Sequence, residues 1–160
     1  MKKKINWGVV TAVTFISVFA LLLALLIYML NSSYKLREFK VDLYVLCNEA
    51  DICVADSDEV KVRVDSDNLA ALYSIVYAMR GYFTIGNPEV TETLNMNFSH
   101  NGDDWNLQIG RAGDNRLLVN LNGPRSYRLY LKDNKKFEDI KRCVSADGFN
   151  TANRLIGNKK

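Results

Sequence analysis

Two acidic clusters, Asp56-Ser57-Asp58-Glu59 and Asp65-Ser66-Asp67-Asn68, offer the carboxylate oxygens that suit a hard cation such as calcium. Neither holds the glycine or the ligand spacing of a calcium-binding hand, and turn or helix-cap roles fit them better. The lone His100 and three scattered cysteines match no zinc spacing. No metal or other cofactor is therefore expected.

His100 stands close before Asp103 and Asp104. A histidine–carboxylate pair can move protons, but no Ser, Cys or second His is placed beside it by a catalytic motif, so the chain is expected not to be an enzyme. Cys47 and Cys53 flank Asn48-Glu49-Ala50-Asp51-Ile52. A hairpin folded about Ala50 would set them at disulfide distance, which makes them the candidate bridge. Cys143 is the alternative partner for either; unpaired, the thiols would be buried and inert.

The remaining chemistry is recognition. Asn95, Asn97, Asn106, Gln108, Leu118, Asn120, Arg128 and Tyr130 fall on the outward parity of alternating runs. Among them Asn95, Asn97, Gln108, Asn120 and Tyr130 form a candidate ligand face, with paired donors and acceptors for a sugar or peptide. Arg128, Lys132, Lys135, Lys136, Lys141 and Arg142 form a candidate basic pole for an acidic partner or anionic headgroups.

The elements that must position these groups read as an α+β domain. Phe39, Val41, Leu43, Val45 and Cys47 alternate as a strand, and so do Val60, Val62 and Val64. Leu69, Leu72, Tyr73, Val76, Met79 and Phe83 fall at helical spacing, which predicts an amphipathic helix over 68–83 behind cap candidates Asp65, Ser66 and Asp67. Four alternating runs, Leu94/Met96/Phe98, Trp105/Leu107/Ile109, Leu117/Val119/Leu121 and Tyr127/Leu129/Leu131, predict an antiparallel meander. Its turns fall at Asn101-Gly102-Asp103, Ala112-Gly113-Asp114 and Asn122-Gly123-Pro124. A closing helix over about 134–144 buries Phe137, Ile140 and Val144.

In front of this domain, Trp7 to Leu30 is apolar without an ionisable or amide side chain, long enough to cross the ~30 Å hydrocarbon core. Lys2, Lys3 and Lys4 precede it, and Tyr28-Met29-Leu30-Asn31-Ser32-Ser33 is a poor signal-cleavage site, so an uncleaved signal-anchor is expected. The division is then a basic tail at 1–6, the span at 7–30, a juxtamembrane linker at 31–38, the domain at 39–146 and a polar tail at 147–160. The N-terminal lysines favour a cytosolic N-terminus, although Lys35, Arg37 and Lys40 nearly balance them.

Gly8 followed by Val9 and the long apolar stretch resembles the processing site of type IV pilins, whose short basic leader ends in glycine. The resemblance covers the N-terminal segment alone. Val13 stands where that family carries an acid, and a pilin's long helix would have to continue through Phe39 to Cys47, where the period is two.

The formal charge of +3 comes from Lys2–Lys4, since 18 bases meet 18 acids beyond the span, and a nucleic-acid partner is not expected. The signs are nonetheless segregated. Residues 38–104 hold 13 acids and 4 bases, and residues 105–160 hold 5 acids and 12 bases, so the halves either complement each other or make two poles. The expected function is that of a non-enzymatic accessory subunit or inhibitor-like binder. It would sit in the cytoplasmic membrane as a single-pass protein with its domain outside, meeting a protein partner there; a membrane-anchored ligand sensor is the alternative. Nothing in the sequence fixes the oligomeric state.

Overall fold

The computed structural model describes residues 7–57, 60–86 and 88–145. One helix, α1 (Trp7–Glu49), runs unbroken for 43 residues, about 64 Å at 1.5 Å per residue. Through Asn31 every side chain is exposed, and Ser32 is the first buried residue. The hydroxyls of Thr11, Thr14 and Ser17 donate to the carbonyls four residues back at 2.8–2.9 Å, so the polar groups of the apolar half satisfy themselves. This half is long and apolar enough to cross a membrane.

Two expectations are corrected here. Residues 31–38 are helix, not linker, and residues 39–47 are helix, not strand. Phe39, Leu43 and Cys47 satisfy both periods, but Val41 is exposed while Asp42 and Leu46 are buried, which only a helix allows. The helix therefore continues where a pilin's would; Val13 keeps its place against that resemblance.

The chain then forms β1 (Ile52–Ser57) and β2 (Val60–Arg63), followed by α2 (Ser66–Ala78) and the short β3 (Gly81–Phe83). The meander is β4 (Val90–His100), β5 (Asp103–Ala112), β6 (Arg116–Asn122) and β7 (Ser126–Lys132), closed by α3 (Lys136–Val144). The sheet is wholly antiparallel, in the order β2-β1-β4-β5-β6-β7-β3. The meander and both later helices match the sequence reading, and Asn101 and Gly102 turn β4 into β5 with the positive φ values (53° and 82°) of a two-residue hairpin. Phe83, expected on the helix, lies in β3. The helix stops because Met79 turns extended and Gly81 follows, where a Cβ would come within 2.5 Å of the Tyr130 carbonyl. Asp65 is the N-cap of α2 through its backbone position and makes no side-chain cap bond.

All three helices cover one face of the sheet around a core that includes Phe39, Leu43, Leu72, Met96, Leu107, Leu129, Phe137 and Ile140. Strands cross α1 instead of running along it. Contacts from Tyr28 and Ser32 reach β3, those from Phe39 and Asp42 reach β7, and Glu49 meets the end of β4. From β3 to β4 is four strand spacings, about 19 Å, whereas the helix rises about 32 Å from Tyr28 to Glu49, so α1 crosses the strands obliquely, meeting β3 first and β4 last. β3 is the edge nearest the apolar half; β2 is the far edge.

Three contacts fasten this arrangement. The buried Asp42 carboxylate accepts from Tyr127 Oη at 2.6 Å and pairs with Arg125 in the β6–β7 turn. Burial, and then the hydrogen bond to Asp42, push the Tyr127 phenol well above its usual range. Lys40 Nζ donates to the Tyr77 and Met79 carbonyls at 2.7 and 3.1 Å, placing a cation at the negative end of α2, with its own pKa lowered by burial. At the free edge of β3, Phe83 N–H donates to Ser32 Oγ at 2.8 Å and its carbonyl accepts from Tyr28 Oη at 2.9 Å, so α1 closes an edge that would otherwise invite another strand.

Replacing Asp42 by Ala leaves the buried Tyr127 hydroxyl without its acceptor and Arg125 without its partner, and should cost about 3 kcal/mol. Tyr127→Phe should cost less. Arg125→Ala should cost least, about 1 kcal/mol or below, because its side chain is more than half exposed and screened. Urea unfolding of the full chain in detergent, followed by near-ultraviolet circular dichroism, gives the order; an Arg125 variant weaker than the Asp42 variant would contradict this account.

Candidate functional site

The sheet's uncovered face carries a grid of amides. Register places Asn97, Asn106 and Asn122 in one cross-strand row and Asn95, Gln108 and Asn120 in the next, over β4, β5 and β6. Asn106 Nδ2 donates to Asn97 Oδ1 at 2.8 Å, whereas Asn95 Oδ1 is buried without a partner. The second row extends through Asp56 on β1 to Lys61 on β2, and through β6 to Arg128 on β7. Beside the first row, Ile52, Val54, Asp104 and Trp105 help to line a shallow hollow of about 590 Å³, within the size range of small-molecule sites. Four of the five residues expected to face a ligand thus do come together. Tyr130 shares their face but is buried in a small second cluster with Ala112 and Leu118, beneath Tyr82 and the guanidinium of Arg116.

The six expected bases do not form one patch. Lys136 pairs with Asp139 at 3.1 Å and Lys141 with Glu92 at 3.0 Å; Arg111 joins Glu92 to Glu138 beside them. Lys132, Lys135 and Arg142 are exposed, and Arg128 lies on the amide face at the other end of the strands from Lys132. The pairs Asp42–Arg125, Glu92–Arg111 and Glu92–Lys141 each join the acidic half of the chain to the basic half. The halves therefore complement each other in part.

A third surface escaped the sequence reading. Ser33, Leu36, Arg37, Lys40, Val41 and Tyr44 of α1 and Tyr73 and Tyr77 of α2 line a groove of about 640 Å³. The Tyr73 ring meets Tyr44 edge-to-face and Tyr77 at a tilt, with centroids 5.3 and 5.5 Å apart, and Lys40 lies 5.0 Å over the Tyr77 ring. Exposed tyrosines beside an arginine are the composition that dominates binding energy at protein interfaces. The tyrosines at 44, 73 and 77 share one surface only if residues 39–47 are helix, so reading that stretch as a strand hid it. The signal was Leu36, Phe39, Leu43 and Leu46, at spacings of three and four.

His100 belongs to the frame. Its Nδ1 lies 3.0 Å from the Glu49 carbonyl, so Nδ1 must donate, and Nε2 accepts from Asn101 Nδ2 at 2.9 Å. The hairpin is thereby tied to the last turn of α1. Among the described residues no group of three potential ligands could hold a metal, and Asp58 and Glu59 of the first acidic cluster lie outside those residues.

All three cysteines carry free, buried thiols, so the Cys47–Cys53 bridge is not formed in this structure. Burial pushes Cys47 up to about 12, with the nearby Cys53 adding to the rise, pushes Cys53 up to about 12, and pushes Cys143 up to about 11. The reactive thiolate is then scarce at neutral pH. Because these folded thiols titrate above the ordinary 9.0, their contribution to stability is complete below about pH 9 and is lost as pH rises toward the folded values. Iodoacetamide at pH 8 should leave all three unmodified in the folded chain and modify them once urea unfolds it. Rapid alkylation of the native protein, or a linked Cys47–Cys53 peptide in a non-reduced digest, would contradict this. No family model matches the chain, and neither a curated protein nor a solved structure does so.

Proposed function

We propose that this chain is a membrane-tethered, non-enzymatic interaction protein, an accessory subunit or inhibitor-like binder. Its span at 7–30 lies in the cytoplasmic membrane with the N-terminus in the cytosol, and its domain works on the outer side. The observation that carries the reading is the continuity of α1 from the apolar half into the core. A domain mounted without a linker holds its surfaces at a fixed height above the bilayer, which suits docking onto another membrane protein and raises the effective concentration toward it. The α1–α2 groove opens a few residues beyond the span, with Tyr44, Tyr73, Tyr77 and Arg37 as its anchors. His100 and the three thiols, the side chains best suited to acid–base or nucleophilic work, serve the frame or lie buried.

The alternative, a membrane-anchored sensor of a small polar ligand, draws on the amide grid, its hollow and the unpartnered Asn95 oxygen. Photo-crosslinking residues placed at Tyr77, Asn97 or Lys135 in the full chain separate the readings. A single protein adduct of defined mass from Tyr77, and none from Lys135, is the expected outcome in intact membranes. Adducts confined to Asn97 that a saccharide or peptide competes away would favour the sensor instead.

A further inference from the structure

The order in which α1 meets the strands fixes which part of the domain is lowest. Phe83 of β3 is held at both backbone groups by α1, its carbonyl by Tyr28 Oη and its N–H by Ser32 Oγ. Those two residues bracket Leu30, the end of the apolar run. A backbone fastened between them cannot stand away from the level at which the run ends. Two residues on, Ile85 is 88% exposed, the highest value of any large hydrophobic side chain among the described residues, the apolar half of α1 included. Gly86 N–H donates to Thr84 Oγ1 at 3.1 Å and Thr84 N–H donates to the Arg128 carbonyl at 3.0 Å, so the corner that presents Ile85 is tied to the sheet.

Exposed bases stand at the same end. Arg80 just before β3 and Lys132 at the end of the adjacent β7 are exposed at this end of the sheet. The far end is mixed, with Asp51, Asp56, Asp65 and Asp67 on or beside β1, β2 and the start of α2, and Lys61 and Arg63 exposed on β2 itself. Bases near an anionic surface are attracted within a Debye length, and the mixed charges of the far end lie beyond it.

We infer that the β3 edge is a membrane-contacting foot. Ile85 enters the interfacial layer of the bilayer beside the span, and Arg80 and Lys132 face anionic lipid headgroups. This rests on the reading of Trp7–Leu30 as the span, and the foot adds a second point of contact that stops the domain from tilting. A buried native thiol complement makes the test direct, because an engineered exposed cysteine takes label selectively in the folded chain.

Full-length Ile85→Cys, Leu22→Cys and Lys61→Cys variants would each carry a polarity-sensitive fluorophore and be reconstituted in phosphatidylcholine vesicles with and without phosphatidylglycerol. The expected result is strong quenching at residue 22 by a deep nitroxide lipid, and a blue shift with quenching by a headgroup-level nitroxide at residue 85. Residue 61, on the far edge, should report water. Adding Arg80→Glu and Lys132→Glu should reduce the residue-85 signal in the anionic vesicles alone. A residue-85 probe indistinguishable from residue 61, with residue 22 quenched, would overturn the foot and leave the span standing. An unquenched residue 22 would overturn both.

Discussion

One helix carries two kinds of surface. Over its first six turns α1 is apolar on every side, and over its last turns it is apolar on a single stripe through Ser32, Leu36, Phe39, Leu43 and Leu46. Every other element is placed by that change. The sheet can pack only against the stripe, so it begins where the stripe begins, and its strands are laid across the helix from there to Glu49. Since no proline or glycine interrupts residues 9–49, the two regimes share one rigid axis.

That packing brings a carboxylate into the core. Asp42 lies on the buried stripe, and a charge so placed is tolerated only when its oxygens are occupied. Tyr127 and Arg125 occupy them from the basic half of the sequence. The pairing converts an apparent segregation of charge along the chain into a specific contact between its two ends. It also selects where β7 crosses the helix, because an apolar contact alone would allow the sheet to slide. Lys40, two residues earlier on the same helix, does the corresponding work for α2 by meeting its terminal carbonyls.

The meander was legible in the sequence because each of its strands alternates over three or more apolar residues and is bounded by Gly or Asn at its turns. The first contact of α1 with the domain was not. Phe39, Leu43 and Cys47 lie four apart, a spacing shared by both periods, and the decisive residues, Leu36 and Leu46, fall outside the five that were matched to a strand. β1 was missed because Ile52-Cys53-Val54-Ala55 is short and runs straight into an acidic turn. The amide face could be read from strand parity alone, since parity survives small errors in register only if whole pairs shift. Tyr130 shows the limit: its direction was set by the strand, but its cover came from Tyr82 and Arg116, on other strands. The aromatic groove needed two helices to be known at once, and so lay beyond any single window of sequence.

The unbroken helix has a rotational consequence. Each residue of an α-helix turns the chain by about 100° and advances it by about 1.5 Å. In the proposed mounting, the direction in the membrane plane toward which the amide face and the tyrosine groove look is therefore indexed to the number of residues between the span and Phe39. One residue gained or lost there would swing both surfaces through more than a right angle while barely changing their height. In a protein mounted this way, the length of the segment after the span sets an azimuth, and a partner fixed in the same bilayer would sense it as alignment rather than reach.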